Sequence, residues 1–144
     1  MQFFEVKDKY SSVADDGAPC TKAEDYALQA LSFTEAEARI TAHMEPYITG
    51  DFEVCAIKKA NYGAVVFNGG GRYYLVKYIL ISVDENGGKE KRHPMHVLFE
   101  EEDIDRAKEH ARDYMRGSLL DYDIASIRET GIIEALLYDD GQTA

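Results

Sequence analysis

Cysteine is scarce in this sequence, which holds Cys20 and Cys55 among its 144 residues. Two thiols are too few for a disulfide scaffold and too few to hold a zinc ion by themselves. Unpaired cysteines usually behave as small apolar side chains. We therefore predict that Cys20 lies in a loop and Cys55 in a strand, and we predict no metal site and no cofactor.

Long apolar runs are also missing, since no stretch approaches the roughly 18 to 20 residues that span a bilayer. The residues after Met1 lack the basic start and the apolar core of a signal peptide. These two absences predict a cytoplasmic protein without a membrane partner.

Basic side chains are outnumbered, because 16 lysines and arginines accompany 27 aspartates and glutamates, giving a formal net charge of −11. Both halves of the chain share this excess of acid. The field of such a protein repels the phosphates of nucleic acids and anionic membranes at long range. The composition therefore disfavours nucleic acid as a partner and favours solubility.

Sequence motifs that identify enzymes are absent as well. The chain contains no nucleophile elbow, no HExxH, no dinucleotide fingerprint and no paired CxxC. The glycine-rich run 68–71 lacks the Lys-Ser/Thr of a phosphate-binding loop. His93 and His96 are three residues apart, a spacing that points two side chains to opposite faces of a strand. We predict no catalytic residue, and the absence favours a protein that is not an enzyme, although catalytic triads need no proximity in sequence.

The sequence contains one short segment that occurs twice in similar form. Phe-Phe-Glu-Val-Lys at 3–7 returns as Tyr-Tyr-Leu-Val-Lys at 73–77, and the apolar spacing of 52–58 returns at 122–128. A recurring order of elements indicates two copies of one supersecondary unit. We predict a single domain, residues 1–144, built of two pseudo-repeats at about 1–68 and 72–138 that a Gly-rich hinge at 68–71 joins.

Each repeat is predicted to run strand, hairpin, strand, helix, strand and short apolar tail. Apolar residues at every second position predict strands, and apolar residues at helical spacing predict helices. Ser32 with Glu35, or Thr34 with Glu37, can form a capping box at the first helix. The fold class is therefore α+β, with two tandem ββαβ-like repeats that form mainly antiparallel sheet of about six strands with two helices.

The boundaries of these elements follow from the same patterns. The predicted strands are 2–12, 22–30, 52–60, 72–84, 89–99 and 122–130. The first predicted helix begins at about 32 and ends between about 44 and 50, and the second covers 100–117. The tails 64–67 and 132–137 are each a strand extension or a helical turn, and 139–144 are expected to fray.

The strand at 72–84 differs from its counterpart at 2–12 because it is apolar on both faces. Such a strand must be covered on both sides, by the helices on one and by the apolar tails or a second subunit on the other. The candidate interaction surface is the face that carries Tyr73, Leu75, Lys77, Ile79 and Ile81.

This surface favours a small non-enzymatic interaction or assembly module, with a homodimer or another protein as partner. The alternative is a single-stranded nucleic-acid-binding protein that uses tyrosines of the same strand, such as Tyr73, Tyr74 and Tyr78, as stacking platforms. The acidic balance favours the first hypothesis.

Three segments resemble an uncharacterised family of small bacterial and phage proteins of about this length, classed as a domain of unknown function. They are residues 3–7 with Tyr10, the run Ala-Leu-Ser-Phe-Thr-Glu-Ala-Glu-Ala-Arg-Ile at 30–40, and Ile-Lys-Lys-Ala at 57–60. The family has no activity, cofactor or catalytic residue to transfer. The resemblance implies a cytoplasmic bacterial protein, with carriage on a phage or mobile element as a further expectation.

Overall fold

The computed structural model describes residues 2–138, so the predicted fraying of 139–144 lies outside the described residues. The α+β class is confirmed, with two α-helices and eight strands in the described part. The strands are β1 Gln2–Val13, β2 Pro19–Ala30, β3 Phe52–Lys59, β4 Tyr62–Phe67, β5 Arg72–Val83, β6 Glu90–Glu101, β7 Asp121–Glu129 and β8 Ile132–Leu136, and the helices are α1 Phe33–Met44 and α2 Ile104–Tyr114. A single 3-10 turn, Glu45–Tyr47, follows α1.

The strands form two four-stranded sheets, in the orders β3-β1-β2-β8 and β4-β6-β5-β7. Neighbours are antiparallel except at one edge of each sheet, where β8 pairs with β2 and β4 pairs with β6 in parallel. The mainly antiparallel arrangement is therefore confirmed. The two apolar tails are strands, which raises the number of strands above the six predicted.

Each apolar tail joins the sheet of the other repeat. Strand β4 follows β3 in the chain but pairs with β6, and β8 follows β7 but pairs with β2. Two compact units result, one of residues 2–61 with 131–138 and one of residues 62–130. The Gly-rich run 68–71, predicted as a hinge between the repeats, connects β4 to β5 within the second unit.

In the first unit, α1 packs on one face of its sheet. The alternation of β1 turns Phe4 and Val6 toward the helix, where they meet a stripe of Ala36, Ile40 and Met44. These helix positions are four residues apart, so they share one side of α1. Burial of this stripe, at about 25 cal/mol for each Å² of apolar surface, is the main force that holds α1 on the sheet.

The second unit repeats this packing with other side chains. Val76 and Tyr78 of β5 face α2, and Ala111 and Met115 cover them. The phenol of Tyr78 donates a hydrogen bond of 2.6 Å to the carbonyl oxygen of Ala111, which ties the strand to the helix. The face of β5 that packs on α2 is therefore fixed.

The start of α1 agrees with the prediction, and the start of α2 does not. Ser32 Oγ accepts a hydrogen bond from the Glu35 backbone N–H at 3.1 Å, which confirms the Ser32–Glu35 cap. The predicted start of the second helix near residue 100 is wrong, because Glu100 and Glu101 end β6 and Asp103 caps α2. Neither helix of the described residues is long and apolar enough to cross a membrane.

Both cysteines lie in strands. Cys20 stands near the start of β2, so its predicted place in a loop is wrong, and Cys55 lies in β3 as predicted. Cys55 is exposed, and both thiols are unpaired. The exposure of Cys55 shows that it is not a core residue.

The Gly-rich run is a tight turn rather than a loose linker. Gly69, Gly70 and Gly71 have φ of 82°, 101° and 76°, a region that side chains rarely adopt. A Cβ atom on Gly70 would lie 2.4 Å from the backbone nitrogen of Glu102. The turn therefore crosses the end of β6 at a distance that only glycine permits.

Candidate functional site

The predicted interaction surface lies on the face of β5 that turns away from α2. Tyr73 and Leu75 are buried, with 4% and 7% of their surface exposed, whereas Lys77, Ile79 and Ile81 are half-buried. Two of the five predicted residues are therefore covered, and the other three are partly accessible. We call Lys77, Ile79 and Ile81 the β5 surface.

The equivalent face of β1 is polar. Three β1 residues stand where β5 carries apolar ones, namely Glu5 for Leu75, Lys9 for Ile79 and Ser11 for Ile81. Ion pairs cross this polar face, with Lys58 Nζ 3.3 Å from Glu5 and Lys7 Nζ 4.0 Å from Asp25. The apolar character of the β5 surface is therefore not a requirement of the repeated fold.

The imidazole of His96 borders the β5 surface, because His96 pairs with Lys77 across the β5–β6 ladder. Burial lowers the pKa of His96, and the nearby charges of Lys77 and Arg128 lower it further. The imidazole is therefore neutral at neutral pH. His93 pairs instead with Leu80, which packs on the α2 side, so the predicted opposite orientation of the two histidines is confirmed.

The tyrosines of β5 are core residues in this structure. Tyr74 and Tyr78 are 3% and 0% exposed, and Tyr73 is buried on the other face. Burial raises the pKa of Tyr78 above its usual range. A nucleic-acid base can stack only on an exposed ring face, so this burial disfavours the predicted stacking platform.

A second candidate site lies under α1, where the carboxyl of Asp8 is buried. Asp8 belongs to β1 and is 0% exposed. Neither of its oxygens has a hydrogen-bond partner among the described residues. Burial raises the pKa of Asp8 to about 6, and the charges of Glu24 and Asp25 on β2 add to the effect, while His43 on α1 opposes it.

Polar groups around Asp8 connect three elements of the first unit. The phenol of Tyr26 donates to Glu24 Oε1 at 3.0 Å, and His43 Nε2 lies 3.0 Å from Glu134 Oε1 on β8. The rings of Tyr26 and His43 are 5.9 Å apart, edge to face. No group of three or more His, Cys, Asp or Glu side chains within residues 2–138 has the geometry to hold a metal. A buried carboxyl with a raised pKa, as in Asp8, can take up and release a proton.

Reading the strand pattern of β1 missed Asp8. Phe4, Val6 and Tyr10 alternate on one face of β1, and the position between Val6 and Tyr10 on that face is Asp8. A charged residue on an otherwise apolar face is the signal that identifies it. In β5 the corresponding position is Tyr78, which fills the space under the helix and finds a hydrogen-bond acceptor.

A third cluster surrounds Glu101 at the end of β6. Its side chain is 1% exposed, and its two oxygens lie 2.7 Å from His110 Nδ1 and 2.6 Å from Asn68 Nδ2. The neighbouring Glu100 accepts a hydrogen bond from the Gly71 backbone N–H at 3.2 Å. Both carboxylates therefore fasten the turn at 68–71 to β6, and His110 ties α2 to the same point.

Replacing Asn68 with alanine is expected to destabilise the protein by about 2 kcal/mol, because a buried carboxylate loses a charge-assisted hydrogen bond. Equilibrium unfolding in urea, followed by circular dichroism, measures the change. The control is Asn86→Ala in the exposed β5–β6 turn, with an expected change below about 0.5 kcal/mol. An equal loss in both variants would show that the Glu101 cluster adds nothing to stability.

Comparison with known proteins identifies the family but not an activity. Residues 2–138 match the family described as "Domain of unknown function (DUF4494)". The match covers nearly the whole chain, so the protein belongs to this family, as the resemblance of the three sequence segments predicted. No curated protein and no solved structure matches the chain.

Proposed function

We propose that this protein is a small non-enzymatic interaction module that self-associates through the β5 surface. The observation that carries the proposal is the contrast between equivalent strands. At two positions where β1 has Lys9 and Ser11, β5 presents the half-buried Ile79 and Ile81. Half-buried isoleucines on a sheet face are a source of affinity when a partner covers them.

A second copy is the partner that we propose. The five residues of the predicted surface include no acidic side chain, in a chain of net charge −11. Of the two aspartates of β7 that pair with Ile79 and Ile81, Asp123 is held by Arg92 of β6, which lessens the repulsion between two acidic copies at this face. Completing the burial of Ile79 and Ile81 supplies about 1 kcal/mol for each side chain, on both copies.

The double variant Ile79→Lys, Ile81→Ser tests this proposal, because it gives β5 the residues that β1 carries at the same positions. We expect the wild-type protein to form dimers and the variant to dissociate at least about tenfold more readily, which corresponds to about 1.4 kcal/mol. Size-exclusion chromatography with light scattering over a concentration series measures the effect.

The matched control is Val13→Ser, which removes an exposed apolar side chain from the equivalent end of β1, where Val13 is 68% exposed. The control is expected to self-associate like the wild type. A wild-type protein that stays monomeric at about 100 μM, a concentration at which specific dimers form, would overturn the proposal.

We further propose that the protein works in the cytoplasm of a bacterium and is carried by phages or mobile elements. The support is the likeness of the three sequence segments to small bacterial and phage proteins. Neighbouring genes test this point, since phage replication or structural genes beside it are expected. Neighbours of housekeeping function alone would contradict it.

A further inference from the structure

Equivalent faces of the two helices carry opposite charge. When α1 and α2 are aligned on their buried residues, one row of three exposed positions becomes basic, with Lys108 in place of Glu37, Arg112 in place of Thr41 and Arg116 in place of Glu45. Each set is spaced by four residues, and Glu45 and Arg116 continue the row, which we call the stripe, just beyond the ends of α1 and α2. The stripe is acidic in the first unit and basic in the second.

In the first unit, the stripe borders an open groove between α1 and the edge strand β3. The groove measures about 640 Å³, and Glu37, Thr41 and Glu45 stand above Phe52 and Val54. We call it the acidic groove. Its floor is apolar and half-buried, so a partner that enters the groove removes apolar surface from water.

A smaller groove of about 280 Å³ occupies the equivalent place in the second unit, between α2 and the edge strand β7. Lys108 and Arg112 border it, and Ile124 and Ile127 form its apolar floor. We call it the basic groove. The two grooves therefore share their architecture and differ in the sign of their charge.

The strands beside the grooves are both edges. Within residues 2–138, β3 pairs with β1 alone and β7 pairs with β5 alone. An edge strand presents a row of backbone N–H and C=O groups that another strand can pair with. Each unit thus offers a pairing edge next to a charged groove.

We infer that the acidic groove of one copy meets the basic groove of a second copy, with β3 of the first adding antiparallel to β7 of the second. The inference rests on the proposed self-association and adds a second contact to it. Joining β3 to β7 in this way sets α1 and the second copy's α2 side by side on one face of the joined sheet. Glu45 then approaches Lys108, and Glu37 approaches Arg116, which pairs with Asp113 in its own chain.

The side chains of the two strands fit the same arrangement. One antiparallel register gives two apolar pairs on the helix side and two pairs of acid with base on the other side. These pairs are Val54 with Ile127, Ile57 with Ile124, Glu53 with Arg128, and Lys58 with Asp123. At the two ends of the same register, Phe52 faces Glu129 and Lys59 faces Tyr122 on the helix side, and these pairs add no apolar contact. Lys58 and Asp123 exchange their present partners, Glu5 and Arg92, at little cost because exposed ion pairs contribute little.

Pairing of like edges is disfavoured by the helices. Two β3 strands would bring two acidic stripes together, and two β7 strands would bring two basic stripes together, so like charges would face each other. Of these three pairings, β3 with β7 is the one that brings an acidic stripe to a basic stripe. The contact is therefore heterologous, and a copy that uses β3 in one contact keeps its β7 edge for another.

Charge reversal tests the inference, with every variant made in the Ile79→Lys, Ile81→Ser protein so that the β5 surface contributes nothing. Glu37→Lys with Glu45→Lys makes both grooves basic, and Lys108→Glu with Arg112→Glu makes both acidic. The combination of all four reversals exchanges the two charges. Sedimentation velocity at about 50 mM and about 500 mM salt measures association, since salt screens exposed charges.

We expect the starting protein to associate at low salt. Each double reversal is expected to weaken this association at least about tenfold, and the combined variant is expected to restore it. An equimolar mixture of the two double reversals is also expected to associate, because the all-basic protein meets the all-acidic one. Equal association of all variants overturns the inference, as does a starting protein that is monomeric at low salt. If the Ile79→Lys, Ile81→Ser protein is monomeric but the wild-type protein is dimeric, the result still supports self-association through the β5 surface. The experiment therefore tests the two contacts separately.

Discussion

Asp8→Asn is expected to be more stable than the wild-type protein at pH 7.5, by about 2 to 3 kcal/mol. The substitution keeps the size of the side chain and removes its ionisation. In the wild-type protein, the carboxyl of Asp8 is buried without a hydrogen-bond donor among the described residues. Ionising a carboxyl in such a place is unfavourable, and this cost disappears in the variant.

The pH dependence of the difference follows from the direction of the shift. Burial raises the pKa of Asp8 from 3.8 to about 6 in the folded protein. A raised pKa means that the folded state holds the proton more tightly than the unfolded state. The stability from the protonated form is fully present below pH 3.8 and is lost as the pH rises to about 6. The advantage of Asp8→Asn is therefore small at pH 3.5, grows between those two values and stays level above pH 7.

Urea unfolding at a series of pH values from 3.5 to 8 measures this curve for both proteins. The control is Glu85→Gln, which removes an exposed carboxylate from the β5–β6 turn and is expected to shift stability by less than about 0.5 kcal/mol. A constant difference between wild type and Asp8→Asn across the series would show that Asp8 ionises as easily in the folded state as in the unfolded one.

Gly70→Ala is expected to destabilise the protein by about 3 kcal/mol, the sum of backbone strain and a steric clash. The residue has φ +101°, and the new Cβ would lie within 2.5 Å of three backbone atoms at Glu101 and Glu102. Backbone atoms of a paired strand cannot move aside as a flexible side chain can. The end of β6 must shift, and that shift also disturbs the buried Glu101.

Gly69→Ala separates the two causes, because Gly69 has φ +82° but no atom within 4 Å of a new Cβ. This control carries the backbone strain alone, with an expected cost of about 1 kcal/mol. Urea unfolding of both variants, followed by circular dichroism, gives the comparison. If Gly70→Ala is no less stable than Gly69→Ala, the close approach of the turn to β6 is not a constraint in solution.

Local patterns predicted most elements of the fold because each pattern is decided by neighbouring residues. Alternating apolar residues located the six longer strands to within a few positions, and Ser32 with Glu35 was one of the two caps predicted for the first helix. The start of α2 was placed too early because Glu100 and Glu101 resemble the acidic first turn of a helix. Their strand pairing with Tyr73 and Arg72 depends on residues far away in the chain.

The partners of the apolar tails could not be predicted for the same reason. A short and mainly apolar run suits a strand in either sheet, and nothing within β4 or β8 specifies its neighbour. Of the candidate residues, the alternation correctly assigned Lys77, Ile79 and Ile81 to one face of β5. It could not foresee that Tyr73 and Leu75 on the same face are buried, since the burial of a sheet face depends on tertiary structure.

The exchange of β4 and β8 between the repeats has a consequence for the order of folding. The first sheet needs β8, which lies more than a hundred residues beyond the β2 strand that it joins. During synthesis, the second unit has all of its strands once residue 130 has emerged, while the first still exposes the edge of β2. The unit that is synthesised first is thus completed last. The pairing of β8 with β2 closes a long loop late in folding, and the entropic cost of closing that loop slows folding.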